Sequence, residues 1–381
     1  MPVASAGPAA PAVSGAPVLV AAGGTGGHLF PAEALAAALI KRSVSVHLVT
    51  DRRAERYGGA FSEPTIHVVA SATLASRDPV ALIGTAAMLG RGFFQARTLL
   101  HRLQPAAVVG FGGYPTVPPL LAAAFMGVPS VIHDANAVIG RANRFLAPRV
   151  TAIATSFPDV LRARPDLATK ATLTGNPVRP AVVAAAATSY RAPAPGEPLR
   201  LLIFGGSQGA RIMADIVPAA IGLLDANLRA RLAIVQQARD EDLARVREAY
   251  TRLTVAADIA PFFADLPARI AASHLIVSRS GASTVAEFAA IGRPSVLVPL
   301  PHALDQDQFA NAGVLETAGG ALRLTQDAFT PRRLASEIEA LAAAPQRLAA
   351  MAAAAKSVGR LDAADRLADL VLKVAGAGAN H

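Results

Sequence analysis

The 381-residue chain has no cysteine and no tryptophan, and aromatic residues make up only 5% of it. Without cysteine, neither a disulfide nor a thiolate-bound metal can form, and a reducing compartment suits such a chain. So few aromatics argue against a nucleic-acid binder that stacks bases on ring faces. The formal net charge is +9, yet no run of Lys and Arg accounts for it. Scattered positive charge favours a phosphorylated substrate or an anionic membrane face over nucleic acid. A positive segment followed by an apolar core is also missing at the N-terminus. Residues 1–16 are rich in Pro, Ala, Ser and Gly, and read as a disordered tail rather than a signal peptide. The stretch 103–132 is long and carries no charge, but Gly110, Gly112, Gly113, Pro115, Pro118, Pro119 and Pro129 break it. That pattern suits strand, loop, helix and strand in a soluble core, not a membrane span.

What is present is one grammar used twice. The apolar run 17–21 (PVLVA) suits a strand buried on both faces of a parallel sheet. It leads into Gly23-Gly24-Thr25-Gly26-Gly27-His28, then an Ala-rich helix expected over 31–42 and a strand over 44–50. This is a βαβ unit. Further strands are expected over 105–110, ending in Phe111-Gly112-Gly113-Tyr114, and over 130–133, ending in His133-Asp134-Ala135-Asn136. Residues 191–198 (RAPAPGEP) have linker chemistry. A strand over 199–204 then ends in Gly205-Gly206-Ser207-Gln208-Gly209, followed by strands over 232–236, 275–278 and 295–299. The fold class is α/β: two Rossmann-like doubly wound domains, 17–190 and 199–362, facing each other across a cleft. A C-terminal helix over 363–381 is expected to pack back on the first domain. Ligands of such sheets sit at the carboxyl ends of the strands.

Three stretches carry chemistry. The 23–28 loop aims backbone N–H groups and a helix N-terminus at an anion or an electron-rich sugar, although a tight turn would also use glycine. His28 is a candidate general base, since imidazole titrates near neutrality; a helix-start histidine bonded to backbone is the plainer reading. Arg279-Ser280-Gly281-Ala282-Ser283-Thr284 joins a strand to a helix bearing Glu287. Its N–H groups and hydroxyls suit a diphosphate, and Glu287 can accept two vicinal ribose hydroxyls, its flanks being apolar. Asp305-Gln306-Asp307-Gln308 and Asn311 suit a ligand rich in hydroxyls, or simply a polar loop and helix cap. No spacing of His, Asp or Glu calls for a metal. A nicotinamide or flavin fold is disfavoured: Asp51 ends the second strand, but the loop lacks the third glycine of G-x-G-x-x-G.

Seven elements, taken together and in order, resemble the MurG-type members of the GT-B glycosyltransferase superfamily. They are GGTGGH at 23–28, GFGGYPT at 110–116, HDAN at 133–136, GNPVR at 175–179, FGGSQGAR at 204–211, SRSGASTVAE at 278–287 and DQDQFANA at 305–312. The resemblance implies an inverting, metal-independent transfer of N-acetylglucosamine from UDP-N-acetylglucosamine to the muramoyl 4-hydroxyl of lipid I, giving lipid II and UDP. No cofactor is expected. It implies His28 as the base. For the donor it implies Thr25, Gly26, Gly27, Asn136, Arg179, Ser207, Gln208, Phe263, Ala282, Ser283, Thr284, Glu287, Gln306 and Gln308. Gly112, Gly113 and Tyr114 would hold the acceptor diphosphate. Two stretches depart from the family pattern: 235–239 (VQQAR), and Asp307 where histidine is common. The polyprenyl tail of the acceptor implies peripheral contact with the cytoplasmic face of an anionic membrane, alongside cell-wall synthesis proteins. The segment for that contact is 82–102, with Leu82, Met88, Leu89, Phe93 and Phe94 beside Arg91, Arg97, His101 and Arg102; a core helix with a solvated edge reads equally well. Another GT-B transferase, a UDP-sugar epimerase and a silent nucleotide-sugar binder are the alternatives.

Overall fold

The computed structural model describes residues 15–23, 26–51, 61, 65–72, 78–301 and 306–378. Most of the expected tail, together with Gly24, Thr25 and Asp305, lies outside them.

The first domain is a seven-stranded parallel sheet in the order β3-β2-β1-β4-β5-β6-β7. Its strands are β1 (Val18–Ala21), β2 (Val46–Thr50), β3 (Ile66–Val68), β4 (Ala107–Gly110), β5 (Ser130–Asp134), β6 (Ala152–Thr155) and β7 (Ala171–Leu173). The helices between them are α1 (Gly26–Ile40), α2 (Pro79–Leu103), α3 (Val117–Met126), α4 (Arg141–Leu146) and α5 (Pro165–Ala168), followed by α6 (Pro180–Ala185). The second domain is a six-stranded parallel sheet in the order β10-β9-β8-β11-β12-β13. It uses β8 (Leu199–Phe204), β9 (Leu232–Gln237), β10 (Ala256–Ala260), β11 (Leu275–Ser278), β12 (Ser295–Leu297) and β13 (Ala321–Arg323). Its helices are α7 (Arg211–Leu223), α8 (Ala226–Ala230), α9 (Leu243–Arg252), α10 (Leu266–Ala272), α11 (Ala282–Ile291), α12 (Asp307–Ala318), α13 (Pro331–Ala342) and α14 (Pro345–Val358). The last helix is α15 (Ala363–Gly378).

Strand order reverses between β1 and β4 in one sheet, and between β8 and β11 in the other. Loops leaving neighbouring strands diverge to opposite faces there, which opens a crevice at the carboxyl edge. The central strands β1, β4 and β11 are buried along their whole length, as continuous Val/Leu/Ile/Ala runs demand when helices cover both faces. Helix α15 returns to the first domain, where Leu367, Ala368 and Val371 share a core with Val18, Leu35 and Val109. The crossing segment behaves differently from its place in the chain: Val178, Val182 and Ala186 pack with Leu202, Ile276 and Phe288 of the second domain. Arg293, only 1% exposed, fastens the following stretch by donating to the carbonyls of Thr188, Ala271, Ile291 and Gly292.

Helix α1 corrects the expected boundary. It begins at Gly26 rather than 31 and carries Pro31 inside it. Pro31 has no N–H to give the carbonyl four residues back, that of Gly27. That carbonyl accepts the Ser283 hydroxyl from the other domain instead, at 3.1 Å.

Candidate active site between the two sheets

The carboxyl ends of β1, β4 and β5 build the first wall. Gly112 and Gly113 follow β4 with φ of +85° and +75°, the left-handed region that side chains avoid. The His28 ring lies flat against this turn: Cβ atoms added at Gly112 and Gly113 would come within 3.6 Å and 3.5 Å of it. Burial lowers the pKa of His28 below 6.5, and the backbone of Gly23 acts weakly the other way. The ring is therefore neutral at pH 7, the form a base must have. Its Nδ1 is buried without a hydrogen-bond partner among the described residues.

A cavity of about 170 Å³ opens beside this ring, lined among others by Tyr114, Asp134, Asn136, Arg141 and Asp307. Asp134 shapes its floor. It accepts hydrogen bonds from the N–H groups of Asn136 (3.0 Å) and Gly140 (2.9 Å) and from Asn143 Nδ2 (3.0 Å). Burial raises its pKa, those three bonds oppose the rise, and nearby Asp307 adds to it. His133 is wholly buried, pushed down to about 4 by desolvation, and held to the Gly175 carbonyl at 3.1 Å. These residues fix the loop that presents Asn136.

The second wall comes from β8, β11 and α12. Ser207 and Gln208 are exposed on the 205–209 turn. Gly205 carries no side chain because a Cβ there would collide with the backbone nitrogen of Ala210. The stretch 235–239, where the sequence departs from the family pattern, braces this turn. Gln237 Oε1 accepts from Gly205 N at 2.9 Å, and Arg239 donates to the Gly209 carbonyl at 3.2 Å. Glu287 is 6% exposed, one turn into α11, and burial raises its pKa while Arg179 opposes the rise. Arg179 Nη2 donates to its Oε1 at 3.0 Å. Ala282, Ser283 and Thr284 form the first turn of α11 and are half-buried at the cleft. Phe263 is buried under the Arg269 guanidinium, whereas Phe262 is 69% exposed. Gln306 is exposed, with φ +53°, just before α12. Gln308 is partly engaged within its own domain, its Oε1 accepting from Leu300 N at 3.1 Å.

The walls touch at Gly27, Phe30 and Asn136. Ser283 meets Gly27. Arg179, bound to Glu287, stacks on Phe30 of α1 with 4.2 Å from its guanidinium carbon to the ring centroid. Asn311, fully buried, gives Nδ2 to Asn136 Oδ1 (3.0 Å) and to the Ser280 carbonyl (3.3 Å), and takes the Ala137 N–H on Oδ1 (2.8 Å). Asn311 was legible only as one polar residue among several, Asp134 only as a member of the HDAN element, and Phe30 and Asn143 gave no signal at all. Their roles arise from segments far apart in the chain.

The apolar surface expected over 82–102 falls on α2. The side chain of Leu82 lies outside the described residues. Met88 and Arg91 are exposed, and Leu89 is half-buried. Phe93 is half-buried and packs against the core cluster that holds Leu99 and Leu120. Phe94 and Phe125, 64% and 80% exposed, each meet it edge-on with centroids 5.5 Å apart. Among the described residues no helix is long and apolar enough to cross a membrane.

Two family models match the two halves: the N-terminal domain of glycosyltransferase family 28 over residues 18–155, and its C-terminal domain over 200–367. The chain belongs to glycosyltransferase family 28. A Rhodopseudomonas palustris protein called UDP-N-acetylglucosamine–N-acetylmuramyl-(pentapeptide) pyrophosphoryl-undecaprenol N-acetylglucosamine transferase is 66% identical, over 94% of this chain and 96% of its own. A Bradyrhizobium protein of the same name is 64% identical, over 96% of this chain and all of its own. The solved Acinetobacter baumannii MurG superposes with a TM-score of 0.75 at 28% identity, covering 94% of this chain and 99% of that one. A Neisseria meningitidis UDP-GlcNAc 2-epimerase superposes at 0.66 with 15% identity, a likeness of fold alone. The two Rossmann-like domains and the MurG-type resemblance expected from the sequence are borne out.

Proposed function

We propose that this family 28 chain transfers N-acetylglucosamine from UDP-N-acetylglucosamine to the muramoyl 4-hydroxyl of lipid I, releasing UDP and forming lipid II. The observation that carries the assignment is the 66% identity, over nearly the full length of both chains, to a transferase of that name. The geometry supports the chemistry. Neutral His28 takes the proton of the acceptor hydroxyl as its oxygen attacks the anomeric carbon. The bond to the diphosphate oxygen breaks on the opposite face, so configuration inverts. Charge developing on the diphosphate meets the 205–209 turn, the first turn of α11 and Arg179. Glu287 receives the ribose hydroxyls, the Phe263 backbone meets the uracil, and Gln306, Gln308, Asn136, Thr25, Gly26 and Gly27 meet the sugar. Gly112, Gly113 and Tyr114 border the acceptor diphosphate. The reading invokes no cofactor.

The polyprenyl chain of the acceptor brings the enzyme to a membrane, and Met88, Phe94 and Phe125 beside Arg91 form an apolar surface with a basic edge that supports peripheral contact. The reading places that contact on the cytoplasmic face, alongside other cell-wall synthesis proteins. The test is UDP release from UDP-N-acetylglucosamine, with and without a soluble lipid I analogue. Release that depends on the analogue is expected. Conversion of the free donor without acceptor would replace the transferase reading with an epimerase.

A further inference from the structure

Arg179 touches both domains at the cleft, through Glu287 of the second and the Phe30 ring of the first. It caps the N-terminus of α6 in the crossing segment and holds Glu287 at 3.0 Å. Its guanidinium carbon lies 4.2 Å from the centre of the Phe30 ring. Phe30 stands two residues beyond His28 on α1, and its ring edge lies 3.0 Å from where a Cβ on Gly26 would be. The carboxylate assigned to the ribose is thus engaged on Oε1 by the guanidinium assigned to the diphosphate, so a seated donor competes with this pairing at both ends.

We propose that Phe30 is a positioning residue for donor binding: its ring face holds Arg179 while the guanidinium passes from Glu287 to the donor diphosphate and the ribose takes its place. The proposal rests on the UDP-sugar reading above. A guanidinium is planar and weakly hydrated, and it keeps its attraction to a ring face while its edge exchanges hydrogen-bond partners. An aliphatic side chain of similar bulk fills the space but lacks the negative ring face, and leaves a long side chain free to sample rotamers that miss the donor. The stack also ties the first turns of α1, which carry His28, to occupancy of the donor site.

The test is a double-mutant cycle on the full chain with Phe30→Leu, Arg179→Ala and the pair, read by donor KM, kcat and UDP titration. Phe30→Leu is expected to raise donor KM and the UDP dissociation constant roughly five- to thirtyfold, the range of a partly desolvated cation–π contact, with kcat changed less than about twofold. Phe30→Tyr, which restores a ring face, should restore both constants. With Arg179→Ala in place, Phe30→Leu should change nothing further. An equal loss with and without Arg179, a loss confined to kcat, or a tyrosine variant as weak as leucine would overturn the proposal. If the leucine variant does not fold, Phe30→Met completes the same cycle. The titrations use UDP alone, so the cycle still decides if acceptor-dependent release fails in the unaltered protein and the transferase reading falls.

Discussion

Asn311→Ala tests whether the two halves are clasped where the geometry says. The amide is fully buried and its three hydrogen bonds, at 2.8, 3.0 and 3.3 Å, all run to loops outside α12. Two of them reach Asn136 and Ala137 of the first domain, and one reaches Ser280 of the second. A buried hydrogen bond contributes about 1 kcal/mol net, and a donor left without a partner costs at least as much. Removing the amide should therefore cost roughly 2–3 kcal/mol, and most of it should fall on the closed arrangement rather than on either core. Transfer kcat/KM should drop about 30- to 150-fold. UDP binding, which the proposed donor site assigns to the second domain, should stay within about threefold. Asn311→Asp is the sharper variant. Its carboxylate still accepts from Ala137, but turns a second oxygen against Asn136 Oδ1 and the Ser280 carbonyl, so it should be worse than alanine. Steady-state transfer kinetics beside UDP calorimetry give both numbers. An alanine variant within threefold of the parent, or an aspartate variant better than alanine, would refute the clasp.

His28→Ala should lower kcat about a hundredfold or more while leaving donor KM close to the parent value, and a loss under tenfold would remove the general-base role. Because burial lowers the His28 pKa, the ring loses its proton below pH 6.5, so the acid limb of transfer kcat/KM should fall at lower pH than for an ordinary histidine. A midpoint above 6.5 in the pH profile would contradict this. Phe94→Asp with Phe125→Asp should reduce sedimentation with anionic vesicles several-fold without changing UDP affinity, and unchanged sedimentation would place membrane contact elsewhere.

The glycine turns were legible because each follows a continuous apolar run, and only glycine tolerates the φ of +85° and +75° at Gly112 and Gly113. The central strands were legible for the same reason of burial on both faces. Edge strands were not: β3 (IHV) and β7 (ATL) are three residues long and half-exposed, and β10 (AADIA) alternates weakly. The start of α1 was misread because proline usually sits in a helix's first turn, and here the carbonyl that Pro31 orphans is satisfied from the other domain. Residues that hold the cleft together were the least legible. Asn311 meets Asn136 across 175 positions, and Arg179 meets Glu287 across 108. No local period records such pairs. The stretch 235–239 departs from the family pattern yet braces the glycine turn, because Gln237 and Arg239 reach backbone groups that other side chains could also reach.

The central claim is the identity of the product. Incubating purified protein with UDP-N-acetylglucosamine and a lipid I analogue, then taking the mass and NMR spectra of the acceptor, tests it most directly. The account predicts one added N-acetylhexosamine, β-linked to the muramoyl 4-oxygen, with one UDP released per acceptor converted. An unmodified acceptor, or an α-linkage, would contradict it.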